Sequence, residues 1–213
     1  MIAASLAAEG RPNRRQHTKA DQPLATNHQT LLPMTHRIIL FRGMNTGGVR
    51  APVSELRAMA ADMGLKSPRT LLASGNLVVE SDKAPTALEA DIEVAMDKTF
   101  SLKVAAMVRS PEQWAKLVAA NPFPAEAAAH PAKVLAMVMK DGIKDGALEA
   151  ARALAEGGER VEAAGGVLYF WFPNGQGESG IFKKATPRML GMGTGRNWNT
   201  VLKLADMVGL LDQ

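Results

Sequence analysis

The chain has 213 residues, of which 46% are hydrophobic and 22% charged, which is the composition of a globular protein with one large domain or two small ones. It contains no cysteine, which excludes disulfide frameworks, thiolate catalysis and thiolate metal sites and favours a reducing, cytoplasmic location. The formal net charge is +4, and no apolar run approaches the roughly 20 residues that a membrane-spanning helix needs.

The basic excess is divided between two parts of the chain. Residues 1–33 contain four basic and two acidic residues, so they account for half of the net charge. The remaining 180 residues are close to neutral. The sequence therefore contains no strong signal for nucleic acid, and we expect no membrane association.

Residues 1–33 differ in composition from the rest. They show little periodicity and are rich in Asn, Gln, His, Pro and Arg, which predicts a disordered tail. The apolar opening is not preceded by a basic residue, so it does not resemble a secretory signal. A second interpretation is that the natural start is Met34 and that this segment is a mis-called extension.

Residues 34–110 are expected to form a ferredoxin-like unit. Apolar runs and helical periodicity indicate strands and helices in the order β-α-β-β-α-β. The two central strands form a hairpin with Gly75 and Asn76 at its tip, because both residue types tolerate positive φ. The expected segments are a strand at 36–42, a helix at 52–63, strands at 70–72 and 77–80, a helix at 85–100 and a strand at 103–108.

Residues 111–213 are expected to form a second α+β half packed on the first. After a linking helix, the pattern indicates a degenerate βαββα unit that lacks the last strand of the first unit. The expected segments are the linking helix at 111–120, a strand at 134–139, a helix at 144–156, a hairpin of 160–162 with 167–172, and a final helix at 197–208.

Five motifs stand out in the chain by their order and spacing: Phe41-Arg42-Gly43-Met44-Asn45-Thr46-Gly47-Gly48, Ser54-Glu55-Leu56-Arg57, Ala73-Ser74-Gly75-Asn76, Asn121-Pro122-Phe123-Pro124 and Thr194-Gly195-Arg196-Asn197-Trp198-Asn199-Thr200-Val201. Together they resemble the bacterial domain of unknown function 1697 family. The resemblance runs from about Met34 to Gly209. It implies a compact α+β fold with ferredoxin-like halves in a small cytoplasmic protein, and it implies no reaction.

The best candidate for a binding site lies where the first strand ends. In the expected sheet this end is adjacent to the hairpin tip, because the first and third strands are antiparallel. Glycines before a helix leave backbone N–H groups exposed, an arrangement that favours an anion. The alternative is that these glycines serve only a tight turn. The candidate residues at this edge are Arg42, Gly43, Asn45, Gly47, Gly48, Ser74 and Asn76.

A second polar segment, Gly193–Thr200, is a candidate for joining that site. Arg196, Asn197 and Asn199 precede or begin a helix, where they could hold a carboxylate or phosphate. The alternative is structural: one asparagine caps the helix, and Trp198 faces the core.

Other classes of site lack the necessary residues. The four histidines have no metal-ligand spacing, no acid–base pair or catalytic triad is apparent, and we expect no metal or cofactor. The loop Gly175–Gly180 matches G-x-G-x-x-G, but the helix and parallel strand of a dinucleotide site do not follow. The third strand, 77–80, lacks the aromatic residues that ferredoxin-like RNA-binding domains use.

Three functions remain open at this level. The leading one is binding of a small anionic or phosphate-containing ligand at the 42–50/74–76 edge. The second is a protein-interaction or homo-oligomer module that uses the aromatic hairpin at 167–172. The third is an enzyme acting on a nucleotide or phosphoester, so whether the protein is an enzyme is left undecided.

Overall fold

The first unit contains four strands and two helices. In this computed structural model, which describes residues 34–44, 51–71 and 75–211, its sheet has the order β2-β3-β1-β4, and every neighbouring pair is antiparallel. The elements are β1 (Thr35–Phe41), α1 (Val53–Asp62), β2 (Lys66–Thr70), β3 (Asn76–Ser81), α2 (Pro85–Phe100) and β4 (Ala106–Arg109).

One strand of this unit starts earlier than its sequence suggests. β2 begins at Lys66, whereas the expected strand begins at Thr70. Its pairing with β3 shifts between Lys66 and Arg69, and Ser67 has a φ of 48°. A polar, irregular edge strand of this kind carries no apolar alternation, so its pattern could not be recognised in the sequence.

The second unit repeats the arrangement with shorter helices. Its sheet has the order β6-β7-β5-β8, again with antiparallel neighbours. The elements are β5 (Val134–Met139), α5 (Ala147–Arg152), β6 (Arg160–Ala164), β7 (Val167–Trp171), α6 (Gly180–Lys184), α7 (Pro187–Leu190) and β8 (Gly193–Asn197). The protein is therefore an α+β protein made of two similar units.

The expectation that the second unit lacks its last strand is wrong. β8 occupies that position and pairs with β5 from Leu135↔Asn197 to Met139↔Gly193. Two glycines hide this strand in the sequence, and side chains of the neighbouring strand pack closely over both of them. A Cβ on Gly193 would lie 2.7 Å from the Met139 sulfur, and one on Gly195 would lie 2.8 Å from a methyl carbon of Leu135.

Three further helices complete the fold: α3 (Pro111–Ala119), α4 (Pro124–Ala129) and α8 (Trp198–Met207). α3 starts with a capping box between Ser110 and Gln113, which satisfies two backbone donors. α3 and α4 follow the first unit, and α8 follows β8 at the end of the second. None of the helices in the described ranges has the length and apolar character needed to cross a bilayer.

The described apolar side chains form three cores. A central core takes residues from both sheets and from α3, α4 and α8, and it contains Trp114 and Trp198, with Trp171 packed against it. A second core lies between the first sheet and the helices α1 and α2. The third lies on the opposite face of the second sheet, under α5, α6 and α7. The central core joins the two units.

Candidate functional site

The end of β1 and the start of β3 lie side by side, as their antiparallel pairing predicts. The backbone N–H of Phe41 donates to the carbonyl of Gly75 at 2.9 Å. Gly43 follows with a φ of 73°, a left-handed conformation that suits glycine. The candidate residues Asn45, Gly47, Gly48 and Ser74 lie outside the described residues.

Arg196 lies on β8 with only 8% of its surface exposed, and it bridges the two units. Its Nη2 donates to the carbonyls of Phe41 at 3.0 Å and Gly75 at 2.9 Å. Its Nη1 donates to the hydroxyl of Thr194 and to the carbonyl of Gly195, both at 2.8 Å. The guanidinium therefore holds the end of β1, and the residue that precedes β3, against the second sheet.

These acceptors of Arg196 are neutral, so the charge itself is not paired by them. Burial lowers the pKa of Arg196 to about 10. That value is still well above neutrality, so the side chain keeps its charge at neutral pH. Backbone carbonyl dipoles replace the water that the buried guanidinium has lost.

Asn76 contacts Arg196 directly. Its Oδ1 accepts from Nε of Arg196 at 2.5 Å, and its Nδ2 donates to the carbonyl of Leu71 at 3.0 Å. Only 1% of the Asn76 surface is exposed. Two of the residues singled out from the sequence thus meet across the two units, in a buried polar contact.

The two asparagines of the second segment have different surroundings. Asn197 is the N-cap of α8, and its Oδ1 accepts from the backbone N–H of Thr200 at 3.0 Å. Asn199 is exposed on the first turn. Trp198 is buried in the central core, so this helix start has the arrangement of the structural alternative.

Arg42 has a more open environment than Arg196. It is half-buried, its backbone N–H donates to the carbonyl of Ala105 at 2.9 Å, and its Nε donates to the carbonyl of Gly193 at 3.0 Å. Within the described residues, no other hydrogen bond and no acidic partner of its guanidinium is present. Arg42 therefore retains donor capacity beside the second sheet.

A cavity of about 240 Å³ lies next to Arg42, on the face of the second sheet that α6 and α7 cover. Both Arg42 and Gly193 line it, so the guanidinium is at its wall. The rest of the lining is mainly apolar: Leu135, Met137, Phe170, Phe172, Ile181, Phe182, Ala185, Thr186, Pro187, Leu190 and Gly191. The arrangement combines one cation with an apolar chamber.

A family model described as "Protein of unknown function (DUF1697)" matches residues 34–169. The chain belongs to the DUF1697 family. The structure of the conserved bacterial protein SP0830 from Streptococcus pneumoniae is similar, with a TM-score of 0.67 and 21% sequence identity, over 82% of this chain and 99% of that one. That likeness concerns the fold. The comparison with curated proteins gives no match.

The matched range of the DUF1697 model includes Arg42 and Asn76 but ends before Arg196 and before α6 and α7. The residues that close the cavity were not among those selected from the sequence. The sequence contained a signal for the cavity. Leu135 and Met137 on β5 and Phe170 on β7 place large apolar groups on one face of the second sheet. The Gly- and Pro-rich segment 173–192 has no long amphipathic helix to cover them.

The aromatic hairpin of this DUF1697 protein is largely internal. Tyr169, Phe170 and Phe172 are buried, and the Tyr169 hydroxyl donates to the carbonyl of Leu117 at 2.7 Å. Trp171 keeps some exposed surface and stacks on His130. The described ranges contain no cluster of three His, Asp or Glu side chains that could hold a metal ion.

Proposed function

We propose that this protein binds a small anionic ligand at the end of β1, with Arg42 as the residue that contacts the ligand's charge. The observation that carries the proposal is the position of Arg42: its guanidinium is half-buried beside a cavity, and one hydrogen bond to Gly193 holds it there. The DUF1697 family supplies no activity against which to set this function.

Three other arginines of the fold already have acidic partners. Arg109, Arg152 and Arg160 pair with the carboxylates of Glu89, Glu162 and Glu126. Arg42 has no such partner within the described ranges. A partly desolvated guanidinium attracts an anion more strongly than one in open water, because the surrounding dielectric constant is lower.

The neighbouring candidate residues have supporting roles in the proposal. The backbone N–H groups of Gly47 and Gly48 would add donors to the anion, and Asn45 and Ser74 would orient it. Arg196 and Asn76 have a positioning role: Arg196 donates to the Phe41 and Gly75 carbonyls, and Asn76 accepts from Arg196, so the pair supports the strand end from which Arg42 projects.

Ligand-dependent thermal stability tests this function. Inorganic phosphate, acetate, benzoate and a nucleoside monophosphate are titrated against the wild-type protein, Arg42→Gln and Arg57→Gln. Arg57 is exposed on α1, so its substitution makes the same charge change away from the cavity. We expect at least one anion to raise the melting temperature of wild type and of Arg57→Gln.

Arg42→Gln should weaken that anion's binding by about tenfold or more, because a charge-assisted hydrogen bond contributes about 1.5–3 kcal/mol. If none of these anions stabilises the wild-type protein, or if Arg42→Gln responds as strongly as Arg57→Gln, the proposal is wrong.

We further propose that each unit is ferredoxin-like. The β-α-β-β-α-β order of the first unit and the matching strand orders of the two sheets support this. We also propose a cytoplasmic location, which the cysteine-free sequence supports. Cell fractionation that found the protein outside the cytoplasm would contradict the second of these proposals.

A further inference from the structure

We propose that the ligand is an amphipathic monocarboxylate whose apolar body fills the cavity while its carboxylate contacts Arg42. This inference rests on the proposed function, and it adds the chemical class of the ligand. The combination of a single arginine with an apolar chamber carries it.

The walls of the cavity come from two layers of the second unit. Leu135 and Phe170 belong to the sheet, and Ile181 and Leu190 belong to the helices that cover it. All four are buried and belong to the third core, which lies between the second sheet and α5, α6 and α7. A polar ligand body would lose its hydrogen bonds to water here without replacement, whereas an apolar body gains from the transfer.

The size of the cavity sets the size of the ligand. A cavity of about 150 Å³ lined by apolar side chains holds a benzene ring. The volume of about 240 Å³ next to Arg42 therefore accommodates a substituted ring or a medium-length alkyl chain. It is too small for a nucleotide to be enclosed, since drug-sized pockets start at roughly 300 Å³.

The charge of the ligand follows from the bases nearby. Lys183 and Lys184 lie on α6, but they pair with Glu178 and Glu156. Arg42 is therefore the cation that the described lining offers without an acidic partner. One guanidinium matches one carboxylate, whereas a second negative charge inside the apolar chamber would be uncompensated.

The mouth of the cavity shows where the ligand enters. Phe182 lines the cavity and has 58% of its surface exposed, which is unusual for a phenylalanine. A ligand body in the chamber would contact this ring and cover part of it. Phe182 can therefore be altered with little effect on folding and a direct effect on the ligand.

Calorimetric titration of the full chain with a series of straight-chain carboxylates tests the inference. Acetate, butanoate, hexanoate and octanoate share one charged group and differ in apolar length. We expect the affinity to rise by about fourfold for each methylene that the cavity buries. Hexanol has the chain but no charge, so it should bind to the wild type more weakly than hexanoate does. In Arg42→Gln, where the cation is absent, hexanol should bind at least as tightly as hexanoate.

Two substitutions check that the chain enters the cavity. Ala185→Phe fills the chamber from the end of α6 and should abolish the length dependence, whereas Ala119→Phe, on the exposed surface of α3, should not. Phe182→Ala should lower the octanoate affinity about threefold and leave the affinity for acetate unchanged. Because Phe182 is exposed, this variant remains informative if Ala185→Phe fails to fold.

The two proposals fail in different ways. If Arg42-dependent binding is present but octanoate binds no better than acetate or inorganic phosphate, the amphipathic ligand is ruled out and the anion site stands. If octanoate binds with the expected length dependence but equally well in Arg42→Gln, the anion contact is ruled out. If the length dependence persists in Ala185→Phe, or if Phe182→Ala binds octanoate as tightly as the wild type does, the chain lies outside this cavity and the inference is wrong.

Discussion

The outer faces of the two sheets are covered in different ways. In the first unit, the 16-residue α2 buries Leu88, Ile92 and Met96 against the sheet. In the second unit, the equivalent stretch of chain contains α6, with five residues, and α7, with four. Both sheets have the same kind of strand order, so the two units differ in the helices that cover the sheets. The cavity beside Arg42 lies under the shorter helices, α6 and α7.

The comparison separates what stabilises the fold from what is available for binding. The long amphipathic helix closes the face of the first sheet, while two short helices interrupted by Pro187 and bounded by Gly191 leave space over the second. The first unit contributes the charge through Arg42, and the second contributes the apolar chamber. A ligand in the cavity would therefore contact both units.

Replacing Arg196 should have the largest effect on the free energy of unfolding, because this residue links the second sheet to the ends of β1 and β3 in the first. Arg196→Met removes, in a buried place, the guanidinium that donates to the Phe41 and Gly75 carbonyls and to Oδ1 of Asn76. We expect a loss of about 3–5 kcal/mol in the free energy of unfolding, measured with urea, because several charge-assisted hydrogen bonds of about 1.5–3 kcal/mol each are lost. Arg188→Met, on an exposed position of α7, is the control and should change it by less than about 0.5 kcal/mol. Equal losses in the two variants would contradict the role of Arg196.

An isoleucine-to-alanine substitution in the second core and one in the third core test directly whether the two sheets are covered with different packing density. Ile92 belongs to α2 and is fully buried against the first sheet, whereas Ile181 belongs to α6 and already borders the cavity. Ile92→Ala should cost about 3 kcal/mol or more, because it opens a new void in a dense core. Ile181→Ala should cost at least about 1 kcal/mol less, since fewer packing contacts are lost there. A larger loss for Ile181→Ala would mean that the second sheet is covered as tightly as the first.

The smallest effect concerns the central core, which both units share. Tyr169→Phe removes the hydrogen bond to the Leu117 carbonyl and should cost about 1 kcal/mol at neutral pH. Burial raises the pKa of Tyr169 above its ordinary value of 10.0. Above pH 10 the unfolded chain therefore releases this proton while the folded chain keeps it, so wild-type stability falls as the pH rises.

Tyr169 is the only tyrosine of the chain, so its ionisation can be followed by ultraviolet absorbance. We expect tyrosinate to appear in the wild type only on unfolding. The Tyr169→Phe variant should lose less stability than the wild type between pH 10 and more alkaline conditions. A phenol that titrates near 10 in the folded protein would show that the central core is open to water.

Strong local patterns explain how much of the fold could be predicted from the sequence. α2 is recognisable because Pro85 starts it and its apolar residues recur at helical spacing. β8 was not predicted because two glycines interrupt its pattern. Their close contact with Leu135 and Met139 is known only once the strands are paired. Local propensity cannot report contacts between residues that are 54 (Met139 and Gly193) and 60 (Leu135 and Gly195) positions apart.

The candidate site shows the same limit. The antiparallel pairing placed Phe41 and Gly75 side by side correctly, because that neighbourhood follows from topology alone. The sequence could not distinguish the roles of Arg42 and Arg196. Arg42 lines a cavity and Arg196 is buried, and both environments depend on how the two sheets pack. The cavity itself was not foreseen, because it arises from what the short helices leave uncovered.

The placement of the tryptophans has a practical consequence for following this protein by fluorescence. The chain has three tryptophans, and all of them lie in the central core or against it. Their emission therefore reports on the junction that the two units share and on neither outer face. An opening of α6 and α7 over the second sheet would be optically silent, so a tryptophan introduced at Phe182 would supply the local probe that the natural sequence lacks.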